Sequence, residues 1–224
     1  MAQTATTWKE PRRRPLSENS KLDMRSQAVS RLADLGRPVL TALAFGGAAL
    51  LIVQAGLTLE IPDTGVVTDP REIFTTTGAG RTGPLGGLLI GILAGIREPD
   101  GIATASVIAH VAGGLWMGFA YGKLVFRNLK MPWLLLGWAA IVVAYYYGFV
   151  VPGFALGLNI FHSETFVAEY GEGASVLTAY GSIGKGVVPE VIFTTVFTML
   201  ILAALPARVR RPAWWSFGPA SPGQ

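Results

Sequence analysis

Long apolar runs alternate with polar stretches along most of the chain. The first run, residues 38–57, reads "PVLTALAFGGAALLIVQAGL", and two further long runs cover residues 101–126 and 132–158. About 20 apolar residues cross a hydrocarbon core of about 30 Å, so each run predicts a transmembrane helix. Residues 186–206 predict the last helix, and the polar stretch that follows residue 158 predicts a loop.

The segment between the first two long runs has a different pattern. Residues 58–82 are too polar for an ordinary span, although Asp69, Pro70 and Glu72 form a good helix start. The predicted helix runs to about Thr77, where "GAG" ends it. Residues 83–96 then predict a 14-residue apolar helix, about 21 Å long at 1.5 Å per residue and therefore short for a crossing.

Positive charge is concentrated beside the apolar runs. It lies in the first 37 residues, at 123–130 and at 208–211, and by the positive-inside rule all three clusters are cytoplasmic. The helix at 38–57 then leads outward, so the chain must cross an odd number of times between residues 58 and 123, whereas the helices at 83–96 and 101–122 make two crossings. Either residues 64–81 complete a crossing or residues 83–96 are re-entrant, and both place polar backbone at membrane depth.

These patterns predict an all-α integral membrane protein with a bundle of about six transmembrane segments. One or two segments are short or broken, and both termini are cytoplasmic. Residues 1–37 form a basic cytoplasmic arm, residues 38–206 the transmembrane bundle, and residues 207–224 a basic and aromatic cytoplasmic tail.

Composition supports the membrane class and disfavours several others. Only 14% of residues are charged, against about 25% in a typical soluble domain. There is no cysteine and there are two histidines, so we expect no metal site. Nucleophile-elbow and phosphate-loop motifs are absent from the sequence, so we expect no enzyme activity and no cofactor. The basic clusters flank apolar runs, so nucleic acid is not an expected partner.

A ladder of glycines marks the short apolar segment. Residues four apart lie on one helix face, and small residues on such a face let two membrane helices approach closely. The next helix has a ladder of its own, so the two are expected to pack together, a homodimer face being the alternative. The packing glycines are Gly83, Gly87, Gly91, Gly95, Gly114, Gly118 and Gly122.

Ionisable and aromatic residues within the apolar segments are the candidate ligand-binding residues. His110 contacts a ligand or proton, or forms an interhelical hydrogen bond; Glu190 contacts a ligand or forms a salt bridge. A turn arginine could hold an anionic ligand group or be solvated, and the three consecutive tyrosines lie in an interface belt or cover a heteroaromatic ligand. The complete predicted set is Arg81, Arg97, His110, Tyr146, Asn159 and Glu190.

The order of these segments resembles a known family. An apolar helix with an Ala44–Ala48 step, the loop "LTLEIPDTG", a short weak helix and "GPLGGLLIGILAGI" are similar to the substrate-binding S components of energy-coupling factor (ECF) vitamin transporters. "GPLGGLLIGILAGIRE" is equally similar to the LytS-type transmembrane sensor module. The resemblance implies an outward-facing small-molecule site under the first loop. It also implies that Ala44 and Ala48 dock on a membrane coupling subunit, packing within the chain being the alternative.

The leading hypothesis is therefore a membrane substrate-binding subunit for uptake of a vitamin-like small molecule. Partner ATPase subunits would supply energy, and the protein would lie in a prokaryotic cytoplasmic (inner) membrane as a multi-pass protein in contact with the bilayer. The alternatives are an accessory or scaffold subunit of a larger membrane complex, and a LytS-like sensor module.

Overall fold

The computed structural model describes residues 18–61, 66–98, 102–125 and 129–210. The chain divides into two units, 1–34 and 35–224, and only helical residues of the first are described. The elements, in chain order, are α1 (Glu18–Gln54), β1 (Leu59–Ile61), β2 (Val66–Thr68), α2 (Arg71–Gly95), α3 (Ala103–Val125), α4 (Met131–Tyr145), a π-helical segment (Tyr146–Val150), α5 (Val151–Phe161), α6 (Ser163–Tyr170), α7 (Val176–Gly186), α8 (Val188–Ala204) and α9 (Ala207–Arg210).

Fewer than six helices are long and apolar enough to cross a membrane. Within the described residues there are three: Gly36–Gln54, Ala103–Val125 and the continuous Met131–Phe161. The pair α7 and α8, bent by 53°, makes a fourth if it counts as one span. The chain is predominantly helical, as predicted, and has helices long and apolar enough to span a membrane, whereas the number of full-length spans is lower than the predicted six segments.

Helix α2 is a helical hairpin, because Gly83 interrupts it with φ 79° and ψ −175°. Only glycine adopts this conformation readily, and Pro84 then begins the second half at a position that suits proline. The two halves, 71–82 and 84–95, lie side by side, since Nη1 of Arg71 donates to the carbonyl of Ala94 at 3.2 Å. Thus "GAG" does not end the first half at Thr77, as expected from the sequence, and the helix continues to Gly83.

The glycine ladders bring the second half of α2 against α3. A Cβ added at Gly87 would overlap the carbonyl of Gly114, and one at Gly91 would overlap the backbone of His110. Gly118 is in the same relation to Gly83 at the tip of the hairpin. The two backbones are therefore in direct contact along the ladder, an approach that any side chain would prevent.

The long helix after α3 contains an irregular segment. Helices α4 and α5 are joined by the π-helical turn Tyr146–Val150 without a break. Where the sequence predicted a loop after residue 158, α5 continues to Phe161 and α6 follows. The predicted last helix, residues 186–206, is present as α8, which runs from Val188 to Ala204, and α7 precedes it within the predicted loop. The loop prediction was wrong because apolar residues of this stretch, such as Phe166, are buried in a small core.

The two ends of the bundle differ in what they carry. At one end, β1 and β2 pair as an antiparallel hairpin immediately before α2. At the other, the hydroxyl of Tyr121 near the end of α3 donates to the carbonyl of Arg210, and Nη1 of Arg210 lies 3.7 Å from Sδ of Met131. We call the second of these the basic end. The predicted cytoplasmic arm before residue 18, the turn at 99–101, Arg127 and the tail from residue 211 lie outside the described residues.

Candidate functional site

A buried carboxylate on the hairpin helix is the centre of the site. Glu72, only 2% exposed, lies in the first turn of α2. Its Oε1 is 2.7 Å from Nε2 of His110 on α3, and its Oε2 accepts from the hydroxyl of Tyr145 at 2.6 Å. Three elements that are distant in sequence therefore meet at one carboxyl group, which the contact between the glycine ladders brings within reach of α3.

His110 has an oxygen atom at each ring nitrogen. Nε2 faces the Glu72 carboxylate, and Nδ1 is 2.7 Å from the carbonyl of Ser106. Nδ1 donates to this carbonyl, because a carbonyl oxygen only accepts, and one proton lies between Nε2 and the Glu72 carboxyl group. Both a histidinium–carboxylate pair and a neutral histidine with a carboxylic acid satisfy this geometry, and in either form one hydrogen bond links the two side chains.

Arg71 extends the site toward the turn between α2 and α3. Its guanidinium lies 2.8 Å from a carboxylate oxygen of Asp69 and 2.6 Å from Oε2 of Glu98. The hydroxyl of Ser106 donates to the same oxygen of Glu98 at 2.9 Å. Burial raises the pKa of Asp69 above its usual value, while the neighbouring Arg71 opposes the rise.

Three consecutive tyrosines where α4 meets the π-helical segment have three different partners. Tyr145 reaches Glu72, Tyr146 donates to Glu190 on α8 at 3.0 Å, and Tyr147 donates to the carbonyl of Gly184. The rings of Tyr145 and Tyr146 meet edge to face at 5.1 Å. Because both are almost fully buried, they do not belong to an interface belt, and π-helical turns are frequent at functional sites.

These contacts form one connected set, which we call the acidic network. Its charges are four carboxylates against one guanidinium and one histidine, so the acids are in excess even when the histidine is protonated. Unbalanced charge in an apolar bundle is costly, and it is relieved by protonation of an acid or by a bound counterion. The members are Asp69, Arg71, Glu72, Glu98, Ser106, His110, Tyr145, Tyr146 and Glu190.

The structure brings only some of the predicted ligand-binding residues together. His110, Tyr146 and Glu190 belong to the acidic network, although Glu190 pairs with a tyrosine hydroxyl and not with a basic residue. Arg97 and Asn159 are exposed and stand apart from the network.

Arg81 is separated from the other predicted ligand-binding residues. It lines a cleft at the basic end with Tyr121 and Arg210. The expectation that it shares a pocket with His110 and Glu190 is therefore wrong, because the first half of α2 continues past "GAG" and places Arg81 about two and a half turns beyond Glu72.

Six members of the network were not predicted as site residues. Asp69 and Glu72 were interpreted only as a helix start, Glu98 belongs to the predicted turn, and Tyr145 was interpreted as part of the aromatic stretch. Arg71 and Ser106 were given no role. One signal was present: "DPRE" places three charged residues in four positions between apolar segments. A helix start there needs one acid as a cap, so the other two charges required a different explanation.

The remaining predicted residues are placed as follows. Ala44 is exposed and Ala48 half-buried on α1, whereas Ala42 and Ala49 face the protein interior. Gly122 is buried on α3. Within the described ranges, no three histidine or acidic side chains are grouped so that they could hold a metal ion.

Comparison with known proteins gives no relative: no protein-family model, no curated protein and no solved structure matches the chain.

Proposed function

We propose that this chain is a membrane substrate-binding subunit that takes up a small, positively charged, vitamin-like molecule. The observation that carries the proposal is the excess of carboxylates in the acidic network, centred on the buried Glu72. A protonated amine or an aromatic cation would neutralise that excess, and the rings of Tyr145 and Tyr146 provide aromatic surfaces beside the carboxylates.

The charge distribution supports one membrane orientation. With the basic end cytoplasmic, α1, α3, the α4–α5 helix and the α7–α8 pair make four crossings, and both termini are inside. The α2 hairpin then enters from outside and returns to the same side. Its tip at Gly83 lies against Gly118, seven residues before the end of α3 and thus about 10 Å short of it. Six membrane segments result, of which two are half-length.

In this orientation the acidic network is near the outer surface, beneath the β-hairpin. β2 ends at Thr68, which is 1% exposed, and its buried hydroxyl has no hydrogen-bond partner among the described residues. A buried hydroxyl without a partner costs free energy, so this cover is held less well than the helices below it. Movement of the β-hairpin would open the path by which a ligand reaches Glu72 and Glu190.

Energy for uptake would come from partner subunits. The sequence has no phosphate-binding loop, so ATP hydrolysis is assigned to ATPase subunits and transmission to a membrane coupling subunit. The exposed Ala44 on α1 is the proposed docking position. The proposed location is a prokaryotic cytoplasmic membrane.

The test of ligand binding uses the protein purified from its membrane in mild detergent. Mass spectrometry of the released small molecules is expected to find a positively charged compound in the wild type. Glu72→Gln and Glu190→Gln should each lower the retained amount about tenfold, the effect of losing one charged hydrogen bond. Glu164→Gln, which changes an exposed acid on α6, is the matched control and should retain it.

The binding proposal fails if the wild type releases no cation, or if both network variants retain it as the wild type does. Size-exclusion profiles of the variants separate lost binding from lost folding. Co-purification then tests the role of the chain: ATPase and coupling subunits support uptake. A histidine kinase instead supports the LytS-like sensor, and a larger complex without an ATPase supports an accessory subunit.

A further inference from the structure

A second polar site lies at the basic end, separate from the acidic network. Residues of α2, α3, α4, α8 and α9 line a cleft there, among them Thr77, Arg81, Tyr121 and Arg210. The elements are held together by hydrogen bonds, since Trp138 donates to Thr198 at 2.8 Å and Tyr121 donates to the carbonyl of Arg210 at 2.7 Å. The cleft therefore lies where five helices meet.

Two arginines line this cleft with no acid beside them. Among the described residues, every ion pair involves Arg71 or His110, and none involves Arg81 or Arg210. Arg210 directs Nε to the carbonyl of Leu205 and Nη1 to the sulfur of Met131. Neither contact neutralises its charge. Two guanidinium groups in one cleft between apolar helices favour an anion.

Two further buried polar atoms belong to residues that line the cleft. Thr77 is 9% exposed, and neither its hydroxyl nor the buried Nε of Arg81 has a hydrogen-bond partner within the part of the chain that the structure describes. The two residues are one helical turn apart on the same face of α2. Such groups cost free energy unless something accepts their hydrogen bonds, and an oxyanion between the arginines would accept from both.

The apolar part of the lining indicates what carries the anion. Trp138, Ile201, Leu202 and Leu205 form the other wall, and Leu205 is at the end of α8. The enclosed space is only about 10 Å³, close to that of one ordered water. A space of this size holds only oxygen atoms of an anion, so the rest of the anion must lie outside the cleft. Basic clefts between membrane helices on the cytoplasmic side are typical binding sites for lipid headgroups.

We propose that this cleft binds a phosphate group, and that the phosphate belongs to an anionic phospholipid of the inner leaflet. Arg81 and Arg210 hold the phosphate oxygens, the hydroxyl of Thr77 donates to one of them, and the acyl chains lie along Ile201 and Leu205. This binding is independent of the uptake function, because no residue of the acidic network takes part.

The test uses the full chain, delipidated in detergent and titrated with phosphatidylglycerol or phosphatidylcholine under native mass spectrometry. The wild type is expected to bind phosphatidylglycerol about tenfold more tightly than phosphatidylcholine. Arg81→Gln and Arg210→Gln should each remove that preference, since each loses a charge-assisted hydrogen bond. Lys130→Gln, which removes an exposed charge at the same end, should leave it intact.

Thr77→Val preserves the side-chain shape and covers the case in which an arginine variant does not fold. It should weaken phosphatidylglycerol binding about threefold to tenfold. The proposal is overturned if all lipids bind alike, or if Lys130→Gln is as damaging as the arginine variants. A parallel thermal-shift titration with inorganic phosphate identifies the source. Stabilisation of the wild type by free phosphate, without selective lipid binding, would overturn the assignment to a lipid.

Discussion

Replacing Gly87 by alanine tests whether contact between the two glycine ladders holds the α2 helical hairpin in place. Gly87 lies at the middle of the second half of α2, where an added Cβ would overlap the carbonyl oxygen and carbon of Gly114. Both are backbone atoms within helices, so no side-chain rotation relieves the overlap. The helices must separate, and they lose contacts along the whole ladder.

The expected loss follows from two opposing effects. Overpacking of a well-packed interior typically costs about 1–3 kcal/mol, and contact with backbone places this site at the upper end. Replacing glycine by alanine within a helix gains about 0.5–1 kcal/mol. The net destabilisation should therefore be about 1–2 kcal/mol. Gly47→Ala on α1 is the matched control, because its Cβ would meet no atom within 4 Å and only the gain applies.

The measurement is reversible unfolding in detergent, followed by circular dichroism, for Gly87→Ala, Gly114→Ala and the double variant. Gly114 meets the same backbone from the opposite side, so the second substitution should cost less once the first has separated the helices. Equal stability of Gly87→Ala and Gly47→Ala would refute the close contact, and strictly additive losses would refute the shared interface.

Three further predictions concern other parts of the bundle. Tyr145→Phe should destabilise the protein by about 1–3 kcal/mol, because Glu72 loses a buried donor at 2.6 Å. Tyr147→Phe removes a 3.0 Å bond from a half-buried tyrosine to a neutral carbonyl, that of Gly184, and should cost less in the same unfolding assay. Gly83→Ala should cost at least about 1 kcal/mol, since φ 79° is strained for alanine, and Gly186→Ala, with open space and ordinary φ, should not. The chain has no cysteine, so single cysteines report topology: Arg97→Cys should react with an impermeant maleimide in intact cells and Lys130→Cys only after permeabilisation. Leu85→Cys, beside the hairpin tip, should react in neither condition, and its labelling from the cytoplasm would show a full crossing instead.

The sequence was sufficient to predict the long helices and the ladder. Apolar length alone predicts α3 and the α4–α5 helix to within about three residues, because a bilayer requires that length whatever the tertiary contacts. The glycine spacing in the second half of α2 and in α3 likewise predicts the contact between these two segments. Charge parity indicated irregular backbone between residues 58 and 123, where the α2 hairpin lies.

Tertiary geometry determined the rest. "GAG" was interpreted as a helix end, whereas Gly78 and Gly80 continue the helix because their missing side chains make room for Phe45 and Trp138. Propensity alone does not distinguish these two uses of glycine. The acidic network depends in the same way on a turn at Gly83 that returns Arg71 to the level of Ala94, a contact across 23 positions that no local pattern contains.

The α2 helical hairpin explains why this bundle has charge of opposite sign at its two ends. Glu72 and Arg81 are on the same short helix, nine residues and therefore about 13.5 Å apart, and each lies within the bundle because the facing glycines leave room for the helix. Side chains along the ladder would move α2 outward and expose both residues to lipid. Close packing of backbone is thus the condition for burying two charged sites. The acidic network has four acids against Arg71 and His110, and no ion pair within the described residues involves the two arginines of the cleft. The proposed counterions, a cation at the acidic network and a phosphate in the cleft, would balance the charges that this packing buries.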